Sequence, residues 1–141
     1  MAASSSATTI WEGDLAQGSG VTTPASGAFE TVDVSWASRT ERSAGKTSPE
    51  ELLAAAHASC YCMALSLELA EAGTPPKRLE ATAEVDFVAG EGVKSSHITV
   101  SGQVPDIDQD GFAAAAQAAG EGCPISGALS IEITVDATLE S

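Results

Sequence analysis

The chain is short of positive charge. Six Lys and Arg stand against 20 Asp and Glu in 141 residues, a formal net charge of -14. So acidic a surface repels phosphate backbones and anionic headgroups, which argues against nucleic-acid and membrane partners. Aromatic residues are scarce, at 4%, so a core has to be assembled from aliphatic and small side chains, which the 43% apolar content supplies. The start, MAASSSATTI, has no basic residue followed by an apolar run, so no secretory signal is expected. No apolar window approaches the length of a membrane span. Three cysteines are an odd number, and no secreted disulfide framework fits them. A reducing cytoplasm is therefore the expected setting, where a cysteine pair is more often catalytic or metal-binding than structural. A phosphate-binding glycine motif, a serine-centred nucleophile elbow and an internal repeat are missing as well.

What the chain does have is one long helical stretch, SPEELLAAAHASCYCMALSLELAEAG, from Ser48 to Gly73. Ser48 suits the N-cap, Pro49 the first helical position, and Glu51 completes an S-x-x-E capping box. Leu52, Leu53, Ala56, Cys60, Met63, Ala64 and Leu67 recur at the spacing of one helical face, predicted to be the packed one. Gly73 and the Pro75-Pro76 pair end the helix.

The flanks read as strands. Ala7 to Gly13, Gly20 to Pro24 and Ala28 to Val34 predict an antiparallel meander of about three strands. Trp36 to Thr47 has neither helical nor strand periodicity and reads as a loop, holding Arg39, Arg42 and Lys46. Leu79 to Val88 and Val93 to Val104 alternate as an antiparallel pair. A second helix is expected from about Asp110 to Ala119, a short helical piece at Pro124 to Leu129, and a last strand from Ile131 to Leu139. The order β-β-β-α-β-β-α-β, mostly hairpin-linked, predicts one α+β domain over residues 1–141 with mostly antiparallel sheets.

Helix geometry sorts the thiols. Cys60 lies on the face of Leu53, Ala56, Met63 and Leu67, whereas Cys62 is rotated by roughly 200°. A zinc site would need His57, Cys60, His97 and Cys123 to converge from four separate positions, with no C-x-x-C spacing in its favour. A buried, inert core cysteine is the plain reading of Cys60. Against it stand the basic loop just upstream and Cys123 in the glycine-flanked G-C-P-I-S. Cys60 is about 18 Å from the helix start, too far for the helix dipole to activate it. Apolar burial would raise its pKa. A cation has to do the work, with Arg39 and Arg42 as candidates and Glu50 or Glu51 to orient it. A thiolate, an arginine, an orienting glutamate and a second thiol are the equipment of a thiol peroxidase.

The segments W-E-G-D at 11–14, S-P-E-E-L-L-A-A-A-H-A-S-C at 48–60, M-A-L-S-L at 63–67 and G-C-P-I-S at 122–126 resemble the OsmC/Ohr family, the osmotically inducible and organic-hydroperoxide-resistance thiol peroxidases. The OsmC branch is the nearer one. The resemblance implies an intertwined homodimer of α+β subunits, with two central helices and active sites at the subunit interface. It implies reduction of organic hydroperoxides in response to oxidative or osmotic stress, with no cofactor. Carried onto this chain, Cys60 matches the peroxidatic cysteine, Cys123 the resolving cysteine, and Glu50 the partner of an arginine that Arg39 matches best, with Arg42 as the alternative. A Cys60–Cys123 disulfide would then be recycled by a dithiol reductant, in this family a dihydrolipoyl group such as a lipoylated protein carries. Cys62 is expected to be a bystander, and an apolar pocket is expected near Met63, Trp36 and Phe112. A non-catalytic module binding an apolar ligand, or a Cys/His metal protein, are the rival readings.

Overall fold

A computed structural model describes residues 2–42 and 45–140. It comprises six strands and four helices among the described residues, in two compact units, 1–52 and 53–141. Positions 43 and 44 of the expected basic loop lie outside the described residues.

The first unit is a three-stranded antiparallel sheet followed by a short helix. Strands β1 (Ala7–Glu12), β2 (Ser19–Pro24) and β3 (Val32–Val34) pair in that order, with Ile10 opposite Val21 and Gly20 opposite Val34. The β1–β2 turn is set by Asp14, whose carboxylate accepts from the Gln17 N–H at 2.7 Å. The third strand is shorter than the expected Ala28–Val34, because residues 28–31 do not join the ladder. Within the expected loop, helix α1 spans Trp36–Thr40. Five residues are too few for periodicity to reveal. A capping box does mark it: the Ser35 hydroxyl accepts from Ser38 N–H, and the Ser38 hydroxyl accepts from Ser35 N–H.

Helix α2 (Pro49–Glu71) begins in the first unit and runs through the second. Ser48 caps it by accepting from Glu51 N–H at 3.1 Å. The Glu51 carboxylate instead accepts from the Thr47 hydroxyl at 2.6 Å. At the far end Gly73 takes φ +87°, a conformation that glycine adopts without penalty, and Thr74 N–H closes onto Leu69 O at 2.9 Å.

The face of α2 that is buried is not the one the apolar spacing predicts. Met63 is 73% and Leu67 61% exposed, whereas His57, Tyr61, Leu65 and Leu69, each four residues on from the last, are completely buried. Alanines leave α2 apolar at almost every azimuth, so spacing alone does not choose a side. The larger buried groups choose it, and Tyr61 fastens the choice by donating its hydroxyl to Ala116 O at 2.8 Å. By length and composition α2 also qualifies as a possible membrane span, with mean hydropathy 1.4 over its most apolar window, contrary to the sequence expectation. Of that window 22% is buried, along the row of His57, Tyr61, Leu65 and Leu69.

The second unit pairs β4 (Arg78–Val88) and β5 (Gly92–Gln103) as an antiparallel hairpin, and β6 (Glu132–Leu139) joins β5 in parallel. Ser96, Ile98, Val100 and Gly102 alternate inward along β5. They meet the buried row of α2 and helix α3 (Gln109–Gly122), whose Phe112, Ala116 and Ala119 complete the core. Burying a large aliphatic or aromatic side chain such as Leu65, Ile98 or Phe112 contributes about 1.5–3 kcal/mol. Gly102 is required here, since a Cβ would lie 2.8 Å from Phe112 Cζ and 2.9 Å from Leu79 Cδ2. Two glutamines of α3 satisfy backbone carbonyls of β6, Gln109 at Ala137 O and Gln117 at Val135 O, each at 3.0 Å. Helix α4 (Pro124–Ala128) follows α3 directly, with Cys123 at the junction.

Candidate active site

In the first unit the sequence-nominated cation meets a carboxylate. Arg39, in the last turn of α1, donates Nε–H to Glu50 Oε1 at 2.9 Å and Nη2–H to Glu50 Oε2 at 3.0 Å. Glu50 sits in the first turn of α2 and is 3% exposed, so its charge is compensated where water is largely excluded. The Trp36 ring lies under the guanidinium, 5.9 Å from its centroid to Arg39 Cζ. Arg39 and Trp36 line an apolar pocket of about 320 Å³ with Trp11, Leu15, Val34 and Leu52. Arg42 occupies a different place: with φ +63°, it reaches the Ser48 hydroxyl at 3.4 Å. Glu51 is exposed and engaged with Thr47, so Glu50 is the acidic partner of Arg39.

In the second unit two reduced thiols face one another. Cys60 Sγ, from the middle of α2, is 3.2 Å from Cys123 Sγ. Burial pushes the Cys60 thiol up, and its neighbour Cys123 adds to the rise, against one bond from Ile125 N–H. Burial opposes ionisation of Cys123 too. There, however, bonds from Ser126 N–H, the Cys60 thiol, the Ser126 hydroxyl and Ile125 N–H prevail and bring it below its ordinary value. Cys60 opens onto a surface cavity of about 360 Å³ lined by Met63, Ala64, Leu67, Ala118 and Pro124. Cys62, half-buried, is raised by burial despite a bond from the backbone of Ala81. It lines a separate groove with Met63, Leu67 and Pro76.

Of the three residues expected around an apolar pocket, Phe112 does not line one. Phe112 is fully buried in the core of the second unit, Trp36 lines the pocket of the first, and Met63 lies on the open side of α2. Of the four groups considered for zinc, Cys60 and Cys123 meet, but the two histidines are held by other partners. His57 is enclosed between Ser96 and Ser126, while His97 lies on the outer face of the sheet against Thr134 and Asp136. Among the described residues no group of three or more His, Cys, Asp or Glu is placed to hold a metal.

Sequence reasoning missed Ser126 and Ser96. Ser126 Oγ is 2.7 Å from His57 Nε2, and Ser96 Oγ is 2.7 Å from His57 Nδ1. Burial lowers the pKa of His57. The last residue of G-C-P-I-S was the one available signal for Ser126, and nothing in the strand pattern singles out Ser96.

Paired thiols beside the junction of two helices, in an α+β chain, define a thiol-redox protein. Residues 42–138 match the family described as OsmC-like protein. The chain is 40% identical over 134 residues to peroxiredoxin OsmC of Escherichia coli strain K12, covering 93% of each. Among solved structures it resembles an OsmC-like protein from Mycoplasma pneumoniae, with TM-score 0.74, 14% identity and full coverage of both chains. It also resembles the organic hydroperoxide resistance protein OhrB of Bacillus subtilis, with TM-score 0.67 and 25% identity over 96% of this chain and 98% of that one. The chain belongs to the OsmC family.

Proposed function

We propose that this protein reduces organic hydroperoxides to alcohols through Cys60, with Cys123 as the resolving thiol and Arg39 and Glu50 as the activating pair. It is a thiol-dependent peroxidase by its relationship to peroxiredoxin OsmC. The observation that carries the particular mechanism is the 3.2 Å separation of two reduced sulfurs.

Burial disfavours a thiolate at Cys60, so the reaction needs a cation. Arg39 fills that role: its guanidinium is fixed by two bonds to Glu50, and it lines an apolar pocket suited to an alkyl chain. The Cys60 thiolate attacks the distal peroxide oxygen, the O–O bond breaks, and the alkoxide leaves as the alcohol after taking a proton. Cys60 is left as a sulfenic acid. Cys123 condenses with it, forming the Cys60–Cys123 disulfide and releasing water. A dithiol, for instance a lipoyl group on a partner protein, restores both thiols by exchange.

The exposed Met63 and Leu67 support a homodimer in which a second copy covers this face of α2. Three free cysteines are consistent with work in a reducing cytoplasm.

Intact mass after one equivalent of a tert-alkyl hydroperoxide tests the reading. Wild type should lose two hydrogens, and Cys123→Ser should gain one oxygen at Cys60. Unchanged masses would leave only a binding module.

A further inference from the structure

The pocket at Arg39 carries polar groups that the peroxidase cycle described above does not use. Its floor is one face of the first sheet, where Trp11 stands opposite Gly20 and Gly20 opposite Val34. A Cβ on Gly20 would lie 2.8 Å from Trp11 Cε3 and 2.9 Å from Val34 Cγ2, so the missing side chain lets the indole lie across β2. The one donor of that indole is committed, since Nε1–H bonds to Gly13 O at 2.9 Å. Thr9 and Thr22 line the same cavity one row further along the sheet, about 7 Å from Trp11 and Gly20. Their hydroxyl oxygens lie 2.7 Å apart.

We propose that the Thr9–Thr22 hydroxyl pair reads a neutral hydrogen-bond acceptor, a carbonyl or ester oxygen, on the chain of the hydroperoxide, which makes oxygenated alkyl hydroperoxides the preferred substrates. The proposal rests on the peroxidase reading, in which this pocket takes the alkyl chain, and adds to it the class of chain.

The chemistry of the pair fits. Thr22 is 8% exposed, and a valine would fill its place in the strand with the same branching and no hydroxyl to bury. Two hydroxyls carry two hydrogens, and only one can lie between the two oxygens. The other is available to an acceptor in the cavity. Among the described residues neither hydroxyl bonds to a further side chain. The remaining polar groups of the pocket have partners of their own. The Ser35 hydroxyl donates to Ser38 Oγ and accepts from Ser38 N–H, and the Arg39 guanidinium donates twice to Glu50.

Charge narrows the class. Among the described residues that line the pocket Arg39 is the one charged side chain, and Glu50 offsets it. A free carboxylate would give up its hydration with no uncompensated cation to meet it, and the net charge of -14 repels it further. A carbonyl gives up far less and regains a hydrogen bond. A plain hydrocarbon laid over the pair would leave the spare hydrogen without an acceptor, which a site built around a hydroxyl penalises.

The test compares tertiary alkyl hydroperoxides of matched chain length: a hydrocarbon, the chain ending in a methyl ester, and the free acid. Turnover is followed with a lipoyl dithiol as reductant. Wild type should show kcat/KM for the ester about tenfold above the hydrocarbon, mostly through KM, and about tenfold or more above the acid. In Thr22→Val the ester and the hydrocarbon should come within roughly twofold of each other, whereas Thr22→Ser, which keeps the hydroxyl, should keep the preference. Equal kcat/KM for ester and hydrocarbon in wild type, an undiminished preference in Thr22→Val, or faster turnover of the acid would overturn the proposal. The wild-type comparison decides by itself if Thr22→Val fails to fold. Reduction of none of these hydroperoxides would overturn the peroxidase reading, and this inference with it.

Discussion

Cys60 and Cys123 are the same side chain, 3.2 Å apart, in opposite electrostatic settings. Cys60 lies well inside a 23-residue helix, where the neighbouring N–H groups are committed to the helical ladder, and one donor from Ile125 does not offset its burial. Cys123 lies where α3 gives way to α4, and the N–H groups of Ile125 and Ser126 are still available to its sulfur. The difference comes from the backbone more than from charge. A thiol at a chain junction can draw on uncommitted donors, whereas a thiol inside a helix has to be activated by a side chain brought to it. That leaves Cys60 in need of a cation, whereas Cys123 already has donors of its own.

The contrast can be broken most strongly at the cation. Arg39→Ala should slow the reaction of Cys60 with an alkyl hydroperoxide by about 100-fold or more and raise the pH at which its thiolate absorbance appears, both read by stopped-flow. Arg42→Ala should change the rate by less than about threefold, and equal losses in the two variants would remove the assignment. Glu50→Gln comes next. It removes the charge that holds Arg39 and should lower both the rate, by about tenfold, and the stability, by about 1–3 kcal/mol in urea unfolding, with the half-exposed arginine keeping the loss at the lower end.

A smaller effect concerns pH. The folded-state pKa of His57 lies below its ordinary value of 6.5, so its contribution to stability is fully present above that value. The unfolded chain binds the proton more readily, and that contribution is lost as the pH falls from 6.5 toward the folded-state value. The fall in Tm over this window should be shallower in His57→Gln. Smallest of all is Cys62→Ser. It should leave peroxide turnover at the wild-type rate and alter stability by less than about 1 kcal/mol, since the side chain is only half-buried.

The chemistry-bearing segments were more legible than the surfaces they present. The S-P-E-E start, the glycine stop and the alternation along β4 and β5 are local signals, and each element forms within a residue or two of its expected place. The packed face of α2 was misread because alanine contributes apolar character without direction. Only the partners of Tyr61, Leu65 and Leu69 decide which side turns inward. Helix α1 was missed because WASRT is too short to show a period, although Ser35 and Ser38 mark its start. The parallel pairing of β6 with β5 leaves no trace in an alternating pattern, which reads the same in either direction. At the site, residue type and position put forward Cys60, Cys123, Arg39 or Arg42, and Glu50 or Glu51, and the family resemblance chose Arg39 and Glu50 within the last two pairs. The serines around His57 could not be singled out, because hydroxyls are common and their partners are 39 and 69 residues away.

The closeness of the two sulfurs bears on survival as well as on turnover. In the proposed cycle the sulfenic acid is formed within van der Waals reach of the thiol that captures it, and closing the bond moves the sulfurs by only about 1 Å. Tethered groups so oriented behave as if present at concentrations far above those any dissolved peroxide attains. A second oxidant molecule therefore has little time to carry Cys60 on to the sulfinic acid, from which most thiol enzymes do not return. An excess of hydroperoxide should saturate this protein rather than poison it.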